Sequence, residues 1–141
     1  MEFRISPASG LPIYQQLVEQ VRSGVARGKL AADEKLPSVR ELSQSLVINP
    51  NTVARAYTEL ERDGVLYTRP GMGVFVAAKP APLAKKARRE RLLPMVDQLL
   101  VEAVEMGCSL AELMKLINER ATAFEWSGAA EQPSVGGGKR K

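Results

Sequence analysis

The feature that most restricts this chain is a pair of helix-start signals, Ser38 and Asn49, set so close that the first helix has room for little more than two turns. Ser38-Val39-Arg40-Glu41 is a capping box: the Ser38 hydroxyl is placed to accept from the Glu41 amide while the Glu41 side chain reaches back to the Ser38 amide. Val39, Leu42 and Leu46 follow at the spacing of one buried helix stripe. Asn49-Pro50 starts the second helix, because an Asn side chain satisfies an orphan amide and a proline at the first helical position forfeits no hydrogen bond. A corner of about three residues separates the two helices. At about 100° per residue, Val53, Ala56, Tyr57 and Leu60 fall on one side of the second helix and Asn51, Thr52, Arg55, Thr58 and Arg62 on the other.

Gly64 closes that helix, and Val65-Leu66-Tyr67 and Val74-Phe75-Val76 are short β-prone runs around Arg69-Pro70-Gly71-Met72-Gly73. Two helices joined at a tight corner and followed by a hairpin make a winged helix-turn-helix. A second helix that is apolar on one face and polar and cationic on the other suits an element buried on one side and inserted into DNA on the other. The hairpin tip is expected to be mobile and cationic. Its Gly-x-Gly pair is read as a turn that needs positive φ and also approaches a phosphate; the turn alone stays open. A nucleotide fingerprint lacks its third Gly and its long βαβ unit.

Ahead of this unit, Pro12 to Gly28 carries helix punctuation at both ends, with Tyr14, Leu17, Val18, Val21 and Val25 at helical spacing. This helix is expected to pack beneath the other two. Glu2-Phe3-Arg4-Ile5 reads as strand-like, either an extra edge strand or a dimer contact.

These residues resemble a known family. Gly28-Lys29-Leu30, Leu36-Pro37-Ser38-Val39-Arg40-Glu41-Leu42, Asn49-Pro50-Asn51-Thr52-Val53-Ala54-Arg55-Ala56-Tyr57 and Leu60-Glu61-Arg62-Asp63-Gly64 look like the DNA-binding domain of GntR-type bacterial transcriptional regulators, over about Ile13 to Val76. The Asn-Pro-Asn-Thr-Val-x-Arg-Ala-Tyr version, with the short segment after it, is similar to the YtrA-like branch. Ala31-Ala32-Asp33-Glu34-Lys35 departs from the Pro-Gly-Asp-type turn usual in relatives; Asp33 tolerates a left-handed backbone, so the departure bears on loop rigidity more than on the fold. The resemblance implies that Arg40 contacts the DNA backbone or a base, that Asn49, Asn51, Thr52 and Arg55 sit in the major groove, and that Gly71 approaches the minor groove. Ser38 and Arg69 complete the expected DNA-contacting set. Arg suits bidentate contact with guanine, and Asn or Thr suits other edges and phosphates, which makes Arg55 the first choice for base readout and Arg40 the second. The plainer reading of Arg40 is a solvated cation beside Gln44 or Glu41, and Arg62, a turn further on, is read as solvated charge.

After Val76 the composition changes. Ala77-Ala78-Lys79-Pro80-Ala81-Pro82 is an extended linker, and two helices fit beyond it. The first lies within about Leu83 to Met106, carries Leu92, Val96, Leu99, Ala103 and Met106, ends near Gly107, and meets a kink or restart at Pro94. The second opens on another capping box, Ser109-Leu110-Ala111-Glu112, and continues through Leu113, Met114, Ile117, Ala121 and Phe124. Two amphipathic helices cannot close a stable core alone, so an intertwined homodimer is expected, with Leu92, Val96, Leu99, Leu113 and Ile117 at its interface. Folding back onto the chain's own winged domain is the alternative, and the heptad is too short for a coiled-coil zipper. The expected organisation is a DNA-binding domain over 1–79, a helical dimerisation segment over 80–126 and a disordered tail over 127–141, in a mostly α protein with a small β-hairpin wing. The run Lys85, Lys86, Arg88, Arg89, Arg91 is either a solvated face or a phosphate contact, and the terminal Lys139-Arg140-Lys141 adds non-specific attraction at most.

Composition narrows the alternatives. The net charge is +4, but residues 1–79 hold ten Lys and Arg against eight Asp and Glu, so DNA affinity must come from the placement of cations and from doubling in a dimer. The absence of His removes Ser-His, Cys-His and His-zinc chemistry, and a lone Cys108 removes an internal disulfide and a thiolate zinc cluster. Cys108 is read as packing rather than sensing. No enzyme activity, cofactor or metal is expected. Relatives that carry an aminotransferase-like or an all-helical ligand domain need more residues than follow Lys79. A small effector in an apolar dimer groove stays open. No apolar run approaches membrane-spanning length and no signal peptide opens the chain, so a cytoplasmic protein is expected. The expected function is a sequence-specific repressor on a palindromic operator, for which the resemblance implies a transporter operon. An architectural DNA-binding protein is the rival, and a protein-interaction module on a reused winged fold the third reading.

Overall fold

The computed structural model describes residues 1–127 and divides into two compact units, Met1–Pro80 and the segment from Ala81 onward. The tail expected over 127–141 lies outside the described residues beyond Ser127. In the first unit, α1 (Ile13–Ala26), α2 (Val39–Leu46) and α3 (Pro50–Arg62) precede a hairpin of β1 (Leu66–Arg69) and β2 (Gly73–Val76). Both halves of the α2 capping box form: the Glu41 amide donates to Ser38 Oγ at 3.0 Å, and the Ser38 amide to Glu41 Oε1 at 2.9 Å. These bonds, with a smaller contribution from Lys35, hold the Glu41 carboxyl below its ordinary value. Asn49 caps α3 by accepting from the Asn51 amide at 2.8 Å.

The third helix is the hub, packing against α1, α2 and β1. Val53, Ala56, Tyr57 and Leu60 are all buried and share one core with Leu17 and Val21 of α1, Leu42 of α2, and Leu66 and Val76 of the hairpin. The buried Tyr57 hydroxyl donates to the Pro37 carbonyl at 2.7 Å, fastening α3 to the loop ahead of α2, and burial pushes the phenol pKa up.

The N-terminal arm is not an edge strand. Phe3 enters the core, and two α1 glutamines take the place of a strand partner. The Arg4 amide donates to Gln20 Oε1 at 2.9 Å and Gln20 Nε2 donates back to the Arg4 carbonyl. The Ser6 amide donates to Gln16 Oε1 at 2.9 Å, while Gln16 Nε2 donates to the Ser6 and Leu11 carbonyls at 3.1 and 3.0 Å.

The hairpin pairs Leu66 with Val76, Tyr67 with Phe75, Thr68 with Val74 and Arg69 with Gly73. The loop ahead of α2 adds a further antiparallel ladder to β2. The Asp33 amide donates to the Val76 carbonyl at 2.7 Å, the Val76 amide to the Glu34 carbonyl at 2.9 Å, and the Leu36 amide to the Val74 carbonyl at 2.9 Å. Lys35 thereby lies opposite Phe75. Asp33 does adopt a left-handed backbone, with φ 69°.

The corner between α2 and α3 turns on Val47, which has φ 56° and ψ 53° and is 88% exposed. A β-branched residue is disfavoured there, and its exposed side chain gains little packing in return. Val47→Asn is expected to raise stability by about 1 kcal/mol, read as a higher urea midpoint with an unchanged denaturant slope.

In the second unit, α4 (Lys85–Glu105) runs unbroken through Pro94, so the restart expected there does not occur. Proline removes only the bond to the Glu90 carbonyl, and Glu90 is exposed to water that can replace it. Gly107, with φ 78°, turns the chain toward α5 (Leu110–Ala121). Ser109 Oγ accepts from the Glu112 amide at 3.1 Å, the expected half of the second capping box. The Glu112 carboxylate acts instead on Cys108: desolvation first, and then this carboxylate, raise the thiol pKa. Ala103, Leu113 and Ala121 are buried, while the other large apolar side chains of both helices stay exposed.

Candidate nucleic-acid interface

The N-terminal turn of α3 presents Asn49, Asn51 and Thr52, with Arg40 on the exposed side of α2. The Asn49 carbonyl oxygen is engaged in the cap, which leaves its amide group to donate outward. Asn51 and Thr52 make no side-chain hydrogen bond among the described residues, and Arg40 makes no ion pair there. Ser38 accepts through Oγ in its capping box and retains a hydroxyl proton to donate.

Arg55 is placed differently. Its guanidinium carbon sits 3.7 Å above the centre of the Tyr14 ring and its Nε lies 3.8 Å from Glu59 Oε2, though its side chain stays 62% exposed. Arg62 shares the same carboxylate at 3.9 Å and reaches Asp63 at 3.6 Å. Glu59 therefore braces two arginines of α3. The Arg55–Glu59 spacing of four is visible in the sequence; the Tyr14 platform needs the crossing of α1 and α3 to be known.

The cation expected at the tip is drawn back from it. Arg69 belongs to β1 and folds back along the hairpin, its Nη2 donating to Tyr67 Oη at 2.6 Å and lying 3.7 Å from Asp33 Oδ1. Its guanidinium carbon stands 4.4 Å from the Phe75 ring centre, and Tyr67 and Phe75 stack at 5.8 Å. Tyr67 in turn donates to Asp33 Oδ1 at 2.6 Å, which raises the phenol pKa. A flat guanidinium gains more on two aromatic faces beside a carboxylate than in open water. What remains at the tip is Pro70, Gly71 and Met72, the last 57% exposed. Gly71 has φ 76° and nothing of its own chain within 4 Å of where a Cβ would stand, so backbone there can come close to another molecule. Between this tip and the start of α2 lies a cleft of about 440 Å³ bordered by Lys35, Ser38, Arg40, Met72 and Gly73. Among the described residues no cluster of His, Cys, Asp and Glu can hold a metal ion, and no helix is long and apolar enough to cross a membrane.

Residues 13–76 match the family described as "Bacterial regulatory proteins, gntR family". The HTH-type transcriptional repressor YtrA of Bacillus subtilis (strain 168) is 34% identical over 116 residues, covering 82% of this chain and 89% of that protein. Among solved structures, a transcriptional antiterminator from Listeria monocytogenes EGD-e is 32% identical, with a TM-score of 0.75 over 91% of this chain and 96% of that one. YtrA from Sulfolobus acidocaldarius, a GntR-family transcription factor, is 28% identical, with a TM-score of 0.51 over 85% of this chain and 97% of that one. The likeness extends past the hairpin into the helical segment and covers nearly the whole of these relatives, and on that evidence the chain belongs to the GntR family of bacterial regulatory proteins, on its YtrA-like branch.

Proposed function

We propose that this protein is a homodimeric repressor that binds a two-fold symmetric DNA operator, with the first turns of α3 in the major groove and the hairpin tip in the adjoining minor groove. The observation that carries this reading is the first turn of α3, where unbonded Asn51 and Thr52 side chains and the outward Asn49 amide face away from the buried side of the helix, with Arg40, which makes no ion pair among the described residues, exposed on α2. Such a turn offers donors and acceptors to base edges at no cost to the core. Arg55 joins it with its guanidinium supported by Tyr14, and Gly71 lets backbone approach the minor groove. Repression follows most simply from occupying a promoter, a transporter operon near the protein's own gene being the target that the YtrA likeness favours. We place it in the cytoplasm and assign it no catalysis.

Dimerisation rests on the second unit. Fourteen large apolar side chains between Leu92 and Trp126 are exposed among the described residues, far more than the scattered few a soluble surface carries. Leu92, Val96 and Leu99 run along one line of α4 and Leu93, Leu100 and Val104 along the next, a width that fits burial between more than one helix. Leu113 is buried within its own chain, at 6% exposure, so it supports the α5 side of the interface from beneath while Ile117, at 39%, is open to a partner.

Arg55→Ala tests the reading. It is expected to weaken binding to the upstream DNA of the protein's own gene by about 1–3 kcal/mol and binding to a shuffled duplex much less, both followed by fluorescence anisotropy. An equal loss on both duplexes would favour an architectural protein.

A further inference from the structure

We infer that Lys35 is a DNA-phosphate contact that locks the wing to the same strand that α2 approaches. This inference rests on the proposed DNA-binding reading and adds a residue and a coupling to it. Lys35 stands on the added ladder against β2, opposite Phe75, so its backbone belongs to the wing although its sequence position belongs to the approach to α2. Its side chain lies along Gly73. A Cβ built on Gly73 would stand 2.8 Å from Lys35 Cε and 3.6 Å from Nζ, so only the bare glycine, at φ 125°, leaves room for the stem. The stem is held against the wing and the ammonium is delivered to the rim of the cleft between wing and α2.

The charges around that cleft make the ammonium available. Lys35 makes no ion pair among the described residues, and neither does Arg40 across the cleft. The one carboxylate in the lining, Glu41, accepts from the Ser38 amide; it attracts Lys35 at a distance but makes no ion pair with it among the described residues. Two cations and one engaged carboxylate line the cleft, a net positive charge that attracts an anion. The cleft lies between the wing and the start of α2. A DNA strand passing from the groove read by α3 to the groove approached by Gly71 must present its phosphates there. Lys35 then acts as a point charge on a phosphate, contributing affinity to any sequence, and its backbone pairing passes that anchoring to β2.

The test uses the full chain, its upstream duplex and a shuffled duplex of equal length, with binding measured over a series of salt concentrations. Lys35→Met keeps the stem on Gly73 and removes the charge. It is expected to weaken binding to both duplexes by the same factor, roughly tenfold near 0.1 M salt, and to lower the slope of log affinity against log salt by about one per subunit engaged. Lys35→Arg should restore the slope. A purely structural lysine would change the thermal melt and leave the slope alone, so an unchanged slope for Lys35→Met overturns the inference while leaving the DNA-binding reading intact. Wild-type protein that binds neither duplex at low salt would overturn both.

Discussion

Replacing Leu99 by Asp is expected to convert the protein to a monomer at micromolar concentration and to lower its affinity for a two-half-site operator by about 10²–10⁴-fold. Leu99 is 45% exposed in the single chain and lies on the same line of α4 as Leu92 and Val96, at 54% and 47%. A carboxylate buried there on association would have to lose its hydration, and the nearest cation on that line, Arg88, lies three turns away on its own helix. The affinity loss follows without any damage to α3: in a dimer the second winged unit binds at the effective concentration set by the first, and a monomer forfeits that. Sedimentation and anisotropy on the same preparation check the two halves of the prediction together. A variant that stays dimeric and binds normally would move the interface off this line.

Leu60→Ala is expected to cost about 2–5 kcal/mol, enough to unfold a large fraction of a marginally stable domain. Leu60 is fully buried on the helix that packs against α1, α2 and β1. Removing its branch opens a cavity that no single neighbour can collapse to fill. Thr58→Ala, two residues earlier on the exposed face, should fall within about 0.5 kcal/mol. Urea unfolding of both changes in the Leu99→Asp background makes the comparison independent of protein concentration.

The parts of this fold legible in the sequence are those decided by residues a few positions apart. Ser38 with Glu41 and Asn49 with Pro50 announce their helices because a cap is a local hydrogen bond, and Val53, Ala56, Tyr57 and Leu60 announce the buried side of α3 because helical phase is local too. What hydropathy does not convey is polar contact across the chain. Gln16 and Gln20 read as ordinary helix surface, yet they take the place of a strand partner for the N-terminal arm. Asp33 reads as a turn residue, and its carboxylate turns out to gather Tyr67 and Arg69 from thirty-odd positions away. The same limit applies within the candidate interface. The chemistry of a guanidinium marks Arg55 and Arg69, and the sequence holds no signal that a tyrosine of α1 lies under one and a phenylalanine of β2 under the other. Leu113 has the spacing of an interface residue, and only the turn through Gly107 shows that its own chain already covers it.

If Arg55 and Arg69 meet DNA as proposed, the carboxylates that brace them also set how the protein travels over a chromosome. Each of these two arginines would arrive at a duplex with a counter-ion from its own chain, Glu59 or Asp33, that a phosphate must first displace. On random DNA the exchange returns little, so dwell times there are short and the protein moves on; on the operator, contacts to base edges complete the exchange and the complex persists. A regulator built this way needs few copies to find its site, because little of its population is held on DNA that it does not regulate.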